Sequence, residues 1–106
     1  MIKYIALYKK PADEVDFDEK YFSTHLPIVR KTPGLIRAEV AKVNRVLVPG
    51  FLGDTDLHVV AEMYFESEEV MSAAFQSPEW HAAGANLSEI GGLELVAMFT
   101  AEVVAE

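Results

Sequence analysis

Hydrophobic and polar positions follow two different periods in the first third of the chain. Residues 2–9 are rich in Tyr, Ile and Leu and are short enough to form one strand. We expect Asp16 to cap a helix, because apolar and aromatic side chains then recur every three or four positions from Phe17 to Ile28. Pro33-Gly34 follows the basic end of this segment and ends the predicted helix.

The remaining segments complete a familiar order of elements. Three further strands are predicted at Leu35–Val48, Leu57–Phe65 and Leu93–Val104. A second helical region lies before the last strand, and the chain order is therefore β-α-β-β-α-β. This order predicts one α+β domain over residues 1–106, with a ferredoxin-like four-stranded antiparallel sheet and two helices on one face.

The last two predicted strands carry apolar residues at both odd and even positions. A sheet face that met water would alternate polar residues with the buried ones. Val60 and Tyr64 interrupt the polar set of one strand, as Val96 and Met98 do in the other. Both faces of the sheet should therefore be covered, and we expect a homodimer in which two sheets pack into an eight-stranded barrel.

Composition narrows the range of partners. The chain is 51% hydrophobic and 25% charged, which favours a second buried surface, and its net charge of −8 disfavours nucleic acid and anionic membranes. It has no cysteine, which excludes disulfides and thiolate chemistry. No segment approaches the roughly 18–20 apolar residues that cross a bilayer, and no signal peptide is recognisable. We expect a cytoplasmic protein.

Polar side chains cluster on one face of the first predicted helix. Tyr21, Thr24 and His25 share that face at helical spacing. Pro27 should kink the helix beside His25, because proline lacks the N–H that would bond the carbonyl of Ser23. Histidine suits proton transfer near neutral pH, since its unperturbed pKa is about 6.5. His25 is thus a candidate acid–base residue, and a core histidine bonded to a carbonyl is the alternative.

Other candidates lie on the third predicted strand. Glu62 and Tyr64 could complete the polar contacts of a substrate site, while a solvated side chain is the expectation for His58. The histidines lie on separate elements, without the short spacings of a metal site, and no metal is expected. No phosphate-binding glycine loop is present to hold a nucleotide, and no nucleophile elbow is present for a catalytic triad. We expect no cofactor.

One group of residues resembles a known family signature. Phe17, Tyr21, Thr24-His25 and Pro27, followed by Pro33-Gly34-Leu35, resemble the F-x3-Y-x2-T-H-x-P…P-G-L pattern of EthD-like proteins. The resemblance implies a dimeric ferredoxin-like barrel with a pocket between the sheet and the first helix. It also implies cofactor-free acid–base chemistry centred on His25, as in related isomerases, decarboxylases and dehydratases. Asn86 stands where an Asp is common in the family.

Three functions remain open at this point. The first is isomerisation, elimination or decarboxylation of a small hydrophobic carbonyl compound, with His25 moving a proton and Tyr21, Thr24, Glu62 and Tyr64 binding the substrate. The second is a non-catalytic, ligand-binding accessory role in an oxygenase or degradation pathway. The third is a cofactor-free monooxygenase activity, in which Trp80 and His81 would matter more than His25.

Overall fold

The computed structural model describes all residues from Met1 to Glu106 as one sheet covered on one side by helices. The strands are β1 (Ile2–Lys9), β2 (Arg37–Lys42), β3 (Leu57–Phe65) and β4 (Val96–Glu102). The helices are α1 (Glu14–Lys20), α2 (Leu26–Val29), α3 (Glu68–Phe75) and α4 (Pro78–Glu89), with a π-helical segment at Tyr21–His25 and a 3-10 turn at Gly92–Glu94. The antiparallel strand order β2-β3-β1-β4 confirms the ferredoxin-like fold.

Three element boundaries differ from the sequence prediction. The cap of α1 is Asp13 rather than Asp16, because the Asp13 carboxylate accepts a hydrogen bond from the backbone N–H of Asp16 at 3.0 Å. Strand β2 is shorter than the predicted Leu35–Val48. Strand β4 begins at Val96 rather than Leu93, since the 3-10 turn intervenes after Gly91, which adopts the left-handed region at φ 79°.

The two faces of the sheet have different surroundings. The helices cover one face, where they bury Ala6 and Tyr8 of β1 together with the odd-numbered residues of β3 from Val59 to Phe65. We call the other side the open face. Its apolar part, defined by residues paired across β1, β3 and β4, consists of Ile5, Leu7, Val60, Ala97 and Phe99. The molecule is only 18 Å thick along its shortest axis, as expected for one helical and one sheet layer.

One end of the open face is polar, and we call it the charged end. Lys3 pairs with Glu62 at 2.8 Å, and Arg37 pairs with Glu39 at 3.0 Å. The hydroxyl of Tyr64 donates towards both carboxylates at 3.3 Å, and the Arg37 guanidinium lies 4.1 Å from the centre of its ring. The hydrogen bond from Lys3 lowers the pKa of Glu62 below its usual value. The charged and hydrogen-bonding groups at this end are therefore paired with one another within the chain.

A β-bulge corrects the expected position of His58. Tyr8 pairs with Val59 and Lys9 pairs with Leu57, so His58 is an extra residue in β3. The bulge places its ring beneath α1, where it is buried, and Nε2 lies 2.6 Å from the carboxylate of Asp18. The expectation of a solvated His58 side chain was therefore wrong, since the side chain is buried. The contact between His58 and Asp18 links α1 to the sheet.

The helices are short. The longest, α4, has twelve residues, whereas about 20 are needed to cross a bilayer. None of them combines the length and the apolar character of a membrane span.

Candidate functional site

An apolar cavity of about 130 Å³ lies between the sheet and the helices. A closed apolar cavity of roughly 150 Å³ is large enough for a benzene ring, so this space suits a compact molecule. Ten of its twelve lining residues are hydrophobic, which makes it the best candidate for a ligand site. The lining residues are Tyr4, Tyr8, His25, Val29, Met63, Phe75, Trp80, Ala83, Gly84, Leu87, Leu93 and Met98.

One end of the cavity is aromatic. Trp80 stacks on Phe75 with ring centres 4.8 Å apart, and Tyr4 packs edge-on against Trp80 at 4.9 Å. Ser77 caps α4 by accepting a hydrogen bond from the N–H of Trp80, and this fixes the start of the helix that carries the indole. These flat surfaces can hold an apolar ring.

The other end carries the polar groups. Tyr8 and His25 line the cavity, and the ring of Tyr21 lies behind them, 5.1 Å from Tyr8 and 5.0 Å from His25 between ring centres. Burial raises the pKa of Tyr21 to about 12 and raises that of Tyr8 well above its ordinary value. Both phenols therefore stay protonated at neutral pH and have a proton to donate to a hydrogen-bond acceptor.

A π-helical segment sets the direction of the His25 side chain. The backbone N–H of Leu26 bonds the carbonyl of Tyr21, five residues back, instead of that of Phe22. Pro27 has no N–H to continue the regular pattern, and the wider turn absorbs this loss. The predicted irregularity beside His25 is thus confirmed. Tyr21 and His25 both turn inwards and are buried.

Asn86 of α4 determines which nitrogen of His25 is available. The Nδ1 atom of His25 lies 3.2 Å from Oδ1 of Asn86, and both side chains are buried. Because an amide oxygen only accepts, Nδ1 carries the proton and Nε2 keeps a free lone pair. Burial lowers the pKa of His25, and the hydrogen bond to Asn86 offsets only part of that effect. At neutral pH His25 is therefore an uncharged base.

The exchange Asn86→Asp should raise the pKa of His25. A carboxylate beside Nδ1–H stabilises the imidazolium, and an opposite charge this close shifts a pKa by roughly 1–3 units. His25 would then be protonated at a higher pH and would no longer act as a base there. The loss of any base-dependent activity at low pH should therefore shift to a higher pH, by about one unit or more. An NMR titration of the His25 ring protons measures the shift, with Asn86→Ala as the control without a charge. An unchanged titration midpoint in the Asp variant would contradict the pairing.

The structure brings together only some of the residues singled out from the sequence. His25 lines the cavity and Tyr21 lies directly behind it, but Thr24 is exposed because the π-helical turn rotates it outwards. Glu62 and Tyr64 lie at the charged end of the open face, across the sheet from the cavity. They do not meet His25 within one chain.

The remaining histidines do not join the site. His58 is held beneath α1, and His81 is exposed on α4, so that it does not accompany Trp80 into the cavity. No group of three or more potential metal-binding side chains lies together in the chain. Three residues with hydrogen-bonding side chains at the site were not proposed from the sequence as part of it: Tyr8, Asn86 in its contact with His25, and Tyr4. Of these three, only Asn86 had been noted from the sequence, because an Asp is common at that position in the family.

Comparison with solved structures supports the fold. An EthD family protein from Bacillus halodurans superposes with a TM-score of 0.87 at 32% identity, with 98% of this chain and 99% of that chain covered. SnoaB from Streptomyces nogalater, a cofactor-independent oxygenase, gives a TM-score of 0.62 at 12% identity over 99% and 92% of the chains. A dimeric ferredoxin-like protein from Jannaschia sp. CCS1 gives 0.68 at 16% identity over 97% and 100%. The last two show the fold alone.

Sequence comparison agrees. An uncharacterized 11.0 kDa protein from the thcB-thcC intergenic region of Rhodococcus erythropolis is 31% identical over 96% of this chain and 95% of its own length. The model of the EthD domain matches residues 9–88, which include the π-helical segment, His25 and Asn86. The chain therefore belongs to the EthD domain family.

Proposed function

We propose that this protein is a homodimeric, cofactor-independent acid–base catalyst that acts on a small hydrophobic carbonyl compound. The observation that carries the proposal is the neutral, buried His25 at the polar end of an apolar cavity, with Nδ1 fixed by Asn86. A base of this kind suits proton transfer, which typically contributes 10²–10⁴-fold to a rate.

The proposed step is removal of a proton from the carbon next to the carbonyl. Nε2 of His25 takes the proton, the C–H bond breaks, and its electron pair moves to the carbonyl oxygen as an enolate. The imidazolium then returns the proton to the same carbon or to another one. Return to another carbon gives isomerisation. In elimination the enolate instead expels a leaving group, and the imidazolium gives its proton to that group. His25 ends uncharged in each case, so the cycle is balanced.

The open face supports the dimeric part of the proposal. No helix covers its apolar side chains, and Phe99 of the edge strand β4 is 45% exposed. A contiguous apolar sheet face marks an interaction surface. Several proteins with this fold are dimers, including the one from Jannaschia. Two copies packed sheet against sheet would bury both open faces.

Deuterium exchange tests the proposed chemistry without knowledge of the natural substrate. Acetophenone has exchangeable hydrogens beside its carbonyl and suits the compact, aromatic cavity. We expect the wild-type protein in D₂O to accelerate loss of its methyl proton signal in NMR spectra, relative to an equal concentration of free imidazole. A rate no higher than that of free imidazole would contradict a catalytic role for this cavity.

The cavity also fits a second function, that of a carrier or accessory protein in a degradation pathway. Its largely apolar wall would hold a hydrophobic compound without any reaction, and binding without exchange would favour this role. A cofactor-free oxygenase activity, as in SnoaB, has less support here, because Trp80 lines the cavity whereas His81 does not.

A further inference from the structure

The cavity has two chemically different ends, and β1 contributes one tyrosine to each. Tyr4 and Tyr8 are four residues apart on the same strand face, which places their Cα atoms roughly 13 Å from each other. Tyr4 belongs to the aromatic end with Phe75 and Trp80, and Tyr8 lies at the polar end beside Tyr21. A molecule with a ring and a polar atom would fit this arrangement with its ring towards Trp80 and its polar atom towards Tyr8 and His25.

Tyr21 adds a second hydroxyl behind Tyr8. Its side chain is fully buried, and the two hydroxyls are near enough to affect each other's pKa values. The Tyr21 hydroxyl nevertheless has no partner at hydrogen-bonding distance and angle. The hydroxyl is therefore unpaired, because a hydrogen bond requires both a short distance and a favourable angle. Unpaired buried hydroxyls are rare, and Tyr21 does not itself line the cavity, so the partner that this hydroxyl can gain is the hydroxyl of Tyr8.

The charge of the cavity wall limits what that ligand can be. No lysine or arginine lines the cavity, and the histidine there is uncharged at neutral pH. An anion placed in such a site would lose its hydration without gaining a counter-ion. The phenol of Tyr8, which stays protonated, offers one donor to a neutral oxygen.

We propose that the cavity selects an uncharged compound with a hydrogen-bond-accepting oxygen, which Tyr8 binds while Tyr21 supports the Tyr8 hydroxyl. This inference rests on the proposed function, since it names the substrate class of the same cavity. Tyr8 would contact the substrate oxygen, where charge develops when His25 removes a proton. Tyr21 would be a positioning residue. When the Tyr8 hydroxyl donates its hydrogen bond to the ligand, the Tyr21 hydroxyl would donate a hydrogen bond to the oxygen of Tyr8.

Three probes of one ring size test the proposal. They are acetophenone, α-methylstyrene, in which a methylene group replaces the carbonyl oxygen, and benzoate, which is charged. Trp80 is the only tryptophan in the chain and lines the cavity, so its indole N–H signal in ¹H–¹⁵N NMR spectra reports binding at this place. Titrations of the wild type and of the Tyr8→Phe, Tyr21→Phe and Tyr4→Phe variants give the dissociation constants.

In the Tyr8→Phe variant, the ratio of the acetophenone constant to the α-methylstyrene constant should rise roughly three- to tenfold, the usual effect of one lost hydrogen bond. Tyr21→Phe should raise the same ratio less and should increase the melting temperature, because it removes an unpaired hydroxyl. Tyr4→Phe, the matched control, should leave the ratio unchanged. Benzoate should bind at least roughly tenfold more weakly than acetophenone to the wild type.

Several results would overturn the inference. These are an unchanged ratio in Tyr8→Phe, a ratio that changes equally in Tyr4→Phe, benzoate binding as tight as that of acetophenone, and no binding of either neutral probe. A Tyr21→Phe variant with unchanged ratio would remove the positioning role of Tyr21. The outcomes are separate from those for the proposed function, because they are measured at equilibrium. Exchange that depends on His25 could persist when the Tyr8 result is negative, and the reverse also holds.

Discussion

Replacement of His25 by alanine is expected to reduce deuterium exchange into acetophenone by two orders of magnitude or more. The reason is that His25 is the only uncharged base among the residues that line the cavity, and loss of a positioned general base typically costs 10²–10⁴-fold. The phenols beside it cannot replace it, since burial keeps them protonated. The rate of signal loss in NMR spectra, compared at equal protein concentration, measures the effect.

Two controls separate chemistry from folding in this experiment. His81→Ala removes an exposed imidazole from α4 and should exchange like the wild type. His25→Gln keeps a polar side chain beside Asn86, so it should preserve the fold better than alanine while still lacking a base. Melting curves and the Trp80 indole signal report whether each variant is folded. Wild-type exchange rates in a folded His25→Ala protein would rule out the assigned role.

Substitution of Phe99 by aspartate is expected to convert a dimer into monomers. Phe99 lies opposite Ile5 on the open face, and in the proposed dimer a carboxylate at this position would be buried without a partner. Light scattering after gel filtration should show the mass fall from twice the 11.8 kDa chain mass to that of one chain. The fold of each chain should survive, because Phe99 lies on the face away from the helices.

Val15→Asp is the matched control for this change. Val15 is 80% exposed on α1, on the helical side of the molecule, and its replacement introduces the same charge. This variant should keep the mass of the wild type. A monomeric wild type, or a Phe99→Asp protein that remains dimeric at micromolar concentration, would show that the open face is not the interface.

The fold could be predicted from local sequence patterns, because strands, helices and turns each leave a distinct pattern of residues. Alternation along the strands and the turn residues between them determine the order of elements, and that order admits few arrangements of four strands and two helical regions. The boundaries were less predictable. Asp13 and Asp16 are both chemically suitable caps, and only the folded backbone shows that Asp13 accepts the bond.

The site was only partly predictable, since it depends on contacts between distant segments. Helical spacing and Pro27 singled out Tyr21 and His25, but the same spacing placed Thr24 beside them, and a π-helical turn does not obey that spacing. The contact of His25 with Asn86 joins residues 61 positions apart. No local pattern reveals such a pair.

The sequence of strand β3 did indicate which of its residues lie on each face of the sheet. Its odd-numbered positions from Val59 to Phe65 are all apolar, which is the pattern of a side packed on a core. Glu62 and Tyr64 have the opposite parity, and they indeed lie away from the helices, at the charged end. The prediction of substrate contacts for them came from their chemistry, without this geometric constraint.

The charged end has a consequence for how two copies can align. Its two cations and two anions already neutralise each other within one chain, so a partner gains little by supplying further charge there. An arrangement that slid this end beneath the apolar side chains of the other copy would strip water from all four ions, and such desolvation is seldom repaid. In the proposed dimer, misaligned pairs would therefore be less stable. The four ions of the charged end would thus add little to the attraction between two copies, but they would favour one alignment of the two sheets over the others.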